Sequence, residues 1–454
     1  MGATLDNGSS GQNTLRILGL SNGHGEDAIG AQILQAIQQV ATDEDRSVVV
    51  EALPLVGEGT AYERAGIASI SPVRSRPPSG GFLYMDPRQL WRDLQGGLVG
   101  ITLRQWQLVR DWTAGIRAAG DQPFVLAVGD IVPLLFAWRS QANYGFVGTA
   151  KSEYYLRDSD GQFLRSRRAE GWSGSVYLPW ERWLMARPRC KAIFPRDRLT
   201  TEILRRWPIP AMDLGNPMMD GFLPVLNGNL KGDRPAPNPC PPETDPVNIL
   251  ILPGSRPPEA YGNWARLIAL ATALVEALPD RGITFHSAIA PGLDLDKLTL
   301  PSPWQRGDPP HHWHHGQATL QLTEGQFYQQ ALDTHLGLAM AGTATEQLVG
   351  LGQPVIILPG DGPQFTPAFA EAQTRLLGPS VLLAGDIQGG IKAVRSLLEN
   401  PQRWSAIAQN GRDRLGSPGA AQRIAHQLLQ MTDPRSPQKF SPAHRFSAHP
   451  GRTE

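Results

Sequence analysis

Leu15-Arg-Ile-Leu-Gly-Leu-Ser-Asn-Gly-His-Gly-Glu-Asp27 is a short apolar run that breaks into a glycine-rich turn. Beyond it Ile29, Ile33, Leu34, Ile37 and Val40 recur at the spacing of a helix with one apolar face. Strand, glycine loop and helix in that order open a doubly wound α/β domain. Further apolar runs at 48–53, 124–128, 144–147 and 192–194 read as buried parallel strands, which lack the polar alternation of a half-solvated sheet. Helical patterns over 88–94, 98–119 and 198–207 separate them.

The alternation then stops. Residues 224–246 hold Pro235, Pro237, Pro239, Pro241 and Pro242 with hardly an apolar side chain, the composition of an extended linker. It restarts with strands at 247–252, 283–289, 336–340 and 354–358, a helix over 260–278 and another from Thr345. The expected organisation has five parts. They are a disordered N-terminus (1–13), a first Rossmann-like domain (14–223), the linker (224–246), a second domain (247–431) and a disordered tail (432–454). The last helix of the second domain is free to return to the first.

Composition narrows the function. Forty-two Lys and Arg balance 42 Asp and Glu, so no general electrostatic pull toward nucleic acid is expected. The 48 Gly and 40 Pro make up about a fifth of the chain, against roughly 12% on average, and indicate many tight turns and glycine loops. Cys190 and Cys240 are too few for a disulfide framework or a thiolate zinc site. No secretory signal is visible, and no stretch approaches the ~18 apolar residues of a membrane span. A cytoplasmic chain, soluble or peripheral on the inner face of a membrane, is expected.

Three loops follow strands at the ends where open α/β sheets bind ligands. They are Ser21–Asp27, then Leu252-Pro-Gly-Ser-Arg-Pro-Pro-Glu259, then Met340-Ala-Gly-Thr-Ala-Thr-Glu-Gln347. In the third, a small-residue turn enters a helix, exposing backbone N–H groups where the helix dipole favours an anion. An ordinary glycine N-cap reads the same way.

Together the loops resemble lipid-A-disaccharide synthase, a GT-B glycosyltransferase that uses a UDP-sugar. The resemblance rests on Leu-Pro-Gly-Ser-Arg at 252–256 and Ala-Gly-Thr-Ala-Thr at 341–345, with fainter matches in Phe194-Pro-Arg-Asp197 and Leu214-Gly-Asn-Pro-Met-Met-Asp220. Ser-Asn-Gly-His-Gly-Glu-Asp at 21–27, with Glu346 and Gln347, is more similar to a divergent branch labelled only as related to that synthase. The resemblance implies a GT-B architecture, two Rossmann-like domains facing across a cleft with the nucleotide sugar held mainly by the second. Gly254, Ser255 and Arg256 would line the nucleotide site. Gly342, Thr343, Ala344 and Thr345 would present amides to the diphosphate, Arg256 would neutralise the leaving group, and no metal is expected. The family carries Glu at the second place after the last Thr. Here Gln347 stands there, and Glu346 sits one step earlier, about 100° around the helix. Gln364 and Gln373 resemble sugar-contacting positions, with solvent-facing polar residues as the alternative.

A transferase of this kind needs a base beside the acceptor hydroxyl. His24 resembles the His in the glycine-rich loop of the peptidoglycan GlcNAc transferase, and Asp130 resembles an Asp proposed to be essential in lipid-A-disaccharide synthase. The plainer readings are a loop hydrogen bond for His24 and a helix N-cap for Asp130. Glu26 and Asp27 are candidates to orient His24, with a favourable charge at the helix N-terminus as the alternative. Lys151 and Glu153 are candidates to meet the acceptor. Eight of twelve Trp lie between 91 and 207, and residues 151–206 carry thirteen Lys and Arg against seven Asp and Glu. Such a mixture suits an anionic membrane surface, with buried Trp as the alternative. His311-His-Trp-His-His315 and Asp294-Leu-Asp296 are read as loops without a metal. The expectation is therefore a hexosyltransferase from a UDP-sugar to a lipid-like acceptor. Its alternatives are a UDP-sugar 2-epimerase-like enzyme and a non-catalytic nucleotide-sugar-binding scaffold.

Overall fold

The two apolar alternations become two separate sheets in the computed structural model, which describes residues 13–71, 98–229, 241 and 246–433. The first holds β1 (Leu15–Ser21), β2 (Val48–Pro54), β3 (Ala68–Ser69), β4 (Gln122–Gly129), β5 (Asn143–Gly148) and β6 (Cys190–Phe194). Its order is β3-β2-β1-β4-β5-β6, parallel throughout. The second holds β7 (Val247–Leu252), β8 (Ile283–Ile289), β9 (Gln305–Arg306), β10 (His312–His315), β11 (Ala318–Glu324), β12 (Leu336–Ala339), β13 (Val355–Ile357) and β14 (Val381–Leu383). Its order is β14-β13-β12-β7-β8-β11-β10-β9, and only β10 runs antiparallel to its neighbours. The helices of the first half are α1 (His24–Asp43), α2 (Thr60–Arg64), α3 (Leu98–Ala118), α4 (Ile131–Arg139), α5 (Pro179–Met185), α6 (Arg198–Leu204) and α7 (Leu223–Asn229). Those of the second are α8 (Glu259–Ala277), α9 (Phe327–Leu332), α10 (Thr343–Gly350), α11 (Pro367–Leu377), α12 (Ile387–Leu398), α13 (Pro401–Leu415) and α14 (Ala420–Thr432).

The central strands read from apolar runs are buried on both faces, all five residues of 124–128 fully so, whereas β2 leaves Val49 exposed. Ile29, Ile33, Leu34, Ile37 and Val40 form the buried face of α1, as their spacing predicts. Gly19 lets α1 lie close on β1, because a Cβ there would stand 2.8 Å from Leu34 Cδ1. Gly337 repeats the arrangement in the second sheet, 2.7 Å from Leu348 Cδ1 across β12 and α10.

The last helix crosses back. Ile424, Ala425, Leu428 and Leu429 of α14 pack with Leu15, Ile17 and the α1 face. Asp220 receives this helix, its carboxylate accepting from the N–H groups of Gly419 (2.7 Å), Ala420 (3.0 Å) and Ala421 (2.7 Å). That gives the 214–220 segment a physical role: it caps the returning helix.

Some expectations are corrected. The 311–315 histidines do not form a solvated loop: 312–315 is β10, paired to β11 at the edge of the second sheet, and β11 itself was not foreseen. The 224–246 stretch begins inside α7. Cys190 is buried at the start of β6, and burial pushes its thiol up. The helix expected over 88–94, Trp91 and Cys240 lie outside the described residues. No described helix is long and apolar enough to cross a membrane.

Candidate active site

In the first sheet the chain leaves β1 toward β2 and returns to β4 on the other side, so the crevice of the sheet lies where β1 and β4 end. Ser21 pairs in register with Val128, which brings the residues after both strands together. His24 is therefore not in the loop but is the exposed first residue of α1. Beneath it Ser21 Oγ donates to Asp27 Oδ1 at 2.6 Å and lies 2.8 Å from the Tyr62 hydroxyl. Asp27 is buried, and its Oδ2 has no hydrogen-bond partner. Burial pushes this carboxyl up to about 6, against the lowering effects of the Ser21 hydrogen bond and of His24. A Cβ on Gly57 would stand 3.7 Å from His24 Nδ1 and 3.9 Å from Asp27 Oδ2, so imidazole and carboxylate lie under the same backbone.

Asp130 caps α4, Oδ1 accepting from Val132 N–H at 2.8 Å, which is the plainer of its two expected roles. Lys151 and Glu153 are engaged elsewhere. Lys151 pairs with Glu181 at 2.6 Å. Glu153, wholly buried, holds Arg157 at 2.9 Å and accepts from Val176 N–H at 2.8 Å. They anchor the irregular chain between β5 and α5, and Glu153 is no candidate to meet an acceptor.

In the second sheet three loops after neighbouring strands meet. Gly254, at φ +99°, passes close to the end of β12: a Cβ would stand 3.1 Å from the Met340 carbonyl. Asn263 fastens the same two loops, its Nδ2 donating to Pro253 O at 3.0 Å and Met340 O at 3.5 Å. Glu259, at the start of α8, accepts from Phe365 N–H at 2.6 Å and holds the loop after β13 against them. Ser255 and Arg256 are exposed on the first loop. Gly342 begins α10 with no side chain capping the helix. Thr343 is exposed at the first helical position, and Ala344 is half-buried. The Thr345 hydroxyl instead donates to Ala341 O at 2.7 Å within its own turn. Gln373 donates to the same carbonyl at 3.0 Å, while its buried Oε1 has no hydrogen-bond partner. Gln364 is exposed, and its backbone N–H points to Glu259.

The two residues that depart from the expected motif are both engaged. Glu346 accepts from Arg196, and Gln347 Nε2 donates to Met218 O at 2.7 Å. Arg196 follows β6 and α10 follows β12, so the strand ends of the two sheets face one another. Sequence reasoning missed Arg196, Thr149, Ser21 and Tyr62. The signal for the first two was their place just after a strand. Among the described residues, no three His, Cys, Asp or Glu side chains are grouped to hold a metal ion.

Two Rossmann-like sheets with opposed strand ends and a returning last helix define the GT-B fold. No family profile matches the chain, and no curated protein does. Solved structures do. A UDP-GlcNAc 2-epimerase from Neisseria meningitidis, bound to UDP-GlcNAc, is similar at 16% identity and TM-score 0.50, over 91% of this chain and 100% of that one. A UDP-GlcNAc 2-epimerase from Methanocaldococcus jannaschii is similar at 16% identity and TM-score 0.51, over 92% and 99%. A glycotransferase of kitacinnamycin is similar at 13% identity and TM-score 0.50, over 92% and 99%. At these identities the likeness is one of fold. It does not single out lipid-A-disaccharide synthase.

Proposed function

We propose that the chain is an enzyme acting on a UDP-linked sugar, and that it transfers the sugar to a second, lipid-like substrate. The observation that carries the reading is the start of α10: small residues uncapped by any side chain, with the one acid of the first turn, Glu346, held by Arg196, which follows β6 of the sheet that bears His24. Amides of Thr343 to Thr345 and the Arg256 guanidinium would supply the positive field for a departing diphosphate without a metal. Gln364, exposed, and Gln373, whose buried Oε1 has no hydrogen-bond partner, are the candidates for donor-sugar hydroxyls. Transfer needs one base at the acceptor, and His24, backed by Asp27, is the group placed to serve. Asp130, already committed to its helix through one oxygen, would act there by position and charge.

The ground for a lipid-like acceptor is a second surface, near where β5 and β6 begin, at the far end of the first sheet from His24. Leu103 (54% exposed), Leu135 (42%), Trp180 (53%) and Trp183 (45%) project from α3, α4 and α5. Between them Arg139 lies 3.6 Å over Trp106, and Arg187 lies 4.1 Å over Trp183. Trp106 and Arg139 line a cleft of about 230 Å³ together with Trp138, Arg110 and Arg189. Apolar rings carrying cations suit the headgroup level of an anionic membrane.

The second reading is 2-epimerisation, and the comparisons favour it more than transfer, since most of the similar structures are UDP-GlcNAc 2-epimerases. Incubation with UDP-GlcNAc, with and without extracted membrane lipid, separates the readings. UDP released only with lipid supports transfer. Deuterium entering C2 from solvent without lipid supports epimerisation. Binding without turnover in either arm, unchanged by His24→Ala or Asp130→Asn, removes the enzyme.

A further inference from the structure

Arg196 Nη2 donates to Glu346 Oε2 at 2.5 Å, and its Nη1 donates to Thr149 O at 3.0 Å. The pair is shielded, with side chains 6% and 13% exposed. Burial pulls the guanidinium pKa down, but Glu346, Tyr155 and Asp197 outweigh it, so Arg196 keeps its charge. Thr149 follows β5; its N–H donates to Gly129 O at 3.3 Å, and its hydroxyl donates to Glu26 Oε1, also at 3.3 Å. Glu26 stands two residues after His24 on the first turn of α1. An unbroken line of polar contacts thus joins the first turn of α10 to the first turn of α1, from one sheet to the other.

We propose that Arg196 is a positioning residue that couples occupancy of the α10 anion site to the placement of the His24 turn, through Glu346 on one side and Thr149 and Glu26 on the other. The inference rests on the reading of α10 as the nucleotide site. A diphosphate at the Thr343–Thr345 amides brings negative charge within one turn of Glu346, so two anions contend for one cation. Any shift of the guanidinium moves the Thr149 carbonyl it holds, and the Thr149 hydroxyl carries that shift to Glu26. The acceptor-side base is then set only when the donor is in place.

Spatial continuity alone does not establish coupling, so the test measures it directly. Amide hydrogen exchange of the full chain is followed with and without UDP. In the unmodified protein UDP should slow exchange at 343–347 and also change it several-fold at 23–30. Arg196→Gln with Glu346→Gln should keep the first effect and lose the second. Thr149→Val, which leaves the ion pair intact, should do the same, and it decides the matter if the double variant does not fold. Protection of 343–347 with no change at 23–30 in the unmodified protein overturns the coupling alone. A wild-type response at 23–30 in either variant also overturns it. Failure of UDP to protect 343–347 overturns it together with the nucleotide-site reading.

Discussion

The units β1–α1 and β12–α10 are built alike and end differently. In each, a strand glycine admits a helix leucine, Gly19 with Leu34 and Gly337 with Leu348. In each, the helix starts without a side-chain cap. The first turn of α1 is then filled with its own anions, Glu26 and Asp27, which already complement the helix dipole. The first turn of α10 is Thr-Ala-Thr, and its one acid, Glu346, is drawn aside to Arg196. One scaffold thus carries an imidazole beside two acids, and the other, in the proposed reading, is the start left open to phosphate. The difference lies in three or four side chains.

The predictions test that division of labour, and the largest effect belongs to the α1 side. His24→Ala should lower turnover by about 10²–10⁴-fold while leaving UDP affinity within a factor of two or so, read by steady-state kinetics beside calorimetry. Loss of UDP binding instead would break the comparison. Next is Asp27. Its folded carboxyl titrates near 6 against an ordinary 3.8, so the folded state binds more protons between those values. Stability should therefore fall as pH rises from 4 to 6, by about 3 kcal/mol at most, and level off above. Asp27→Asn should flatten that slope in urea unfolding at pH 4 and pH 7; an unchanged slope assigns the cost elsewhere.

On the α10 side, Gly254→Ala forces a side chain into φ +99° beside the Met340 carbonyl. It should cost about 1–3 kcal/mol of stability and weaken UDP binding, without altering the pH slope of Asp27. The smallest effect concerns the aromatic face. Arg110→Glu with Arg139→Glu should weaken sedimentation with phosphatidylserine vesicles, at about 1 kcal/mol per lost cation, and leave UDP affinity unchanged. Equal binding to neutral and anionic vesicles would remove that face from the account.

Much of the fold could be read from the chain because parallel strands buried on both faces leave continuous apolar runs, as at 124–128 and 249–252. The short edge strands β9 and β10 leave no such trace. Pairing makes strands of them, β10 with β11 and β9 with β10, and neither run is apolar enough to announce it. The glycine loops were legible for the same reason as the strands: they punctuate them. The partners were not. Nothing in 194–197 announces that Arg196 will reach a residue 150 positions away. Nothing near Glu153 shows that it will be buried with Arg157 rather than facing a substrate. The aromatic cluster was legible as composition, but which rings face outward was decided by helix packing: Trp180 and Trp183 are exposed, while Trp106 and Trp138 are half-buried.

The central claim is that the second sheet binds the nucleotide and the first supplies the chemistry. Titration calorimetry with UDP on three proteins addresses it most directly: the unmodified chain, Arg256→Ala and His24→Ala. The expected result is one-site, saturable binding, with Kd between about 1 μM and 1 mM, weakened about tenfold or more by Arg256→Ala and preserved in His24→Ala. A folded chain that takes up no UDP at several times that range, or one whose binding follows His24 rather than Arg256, would contradict it.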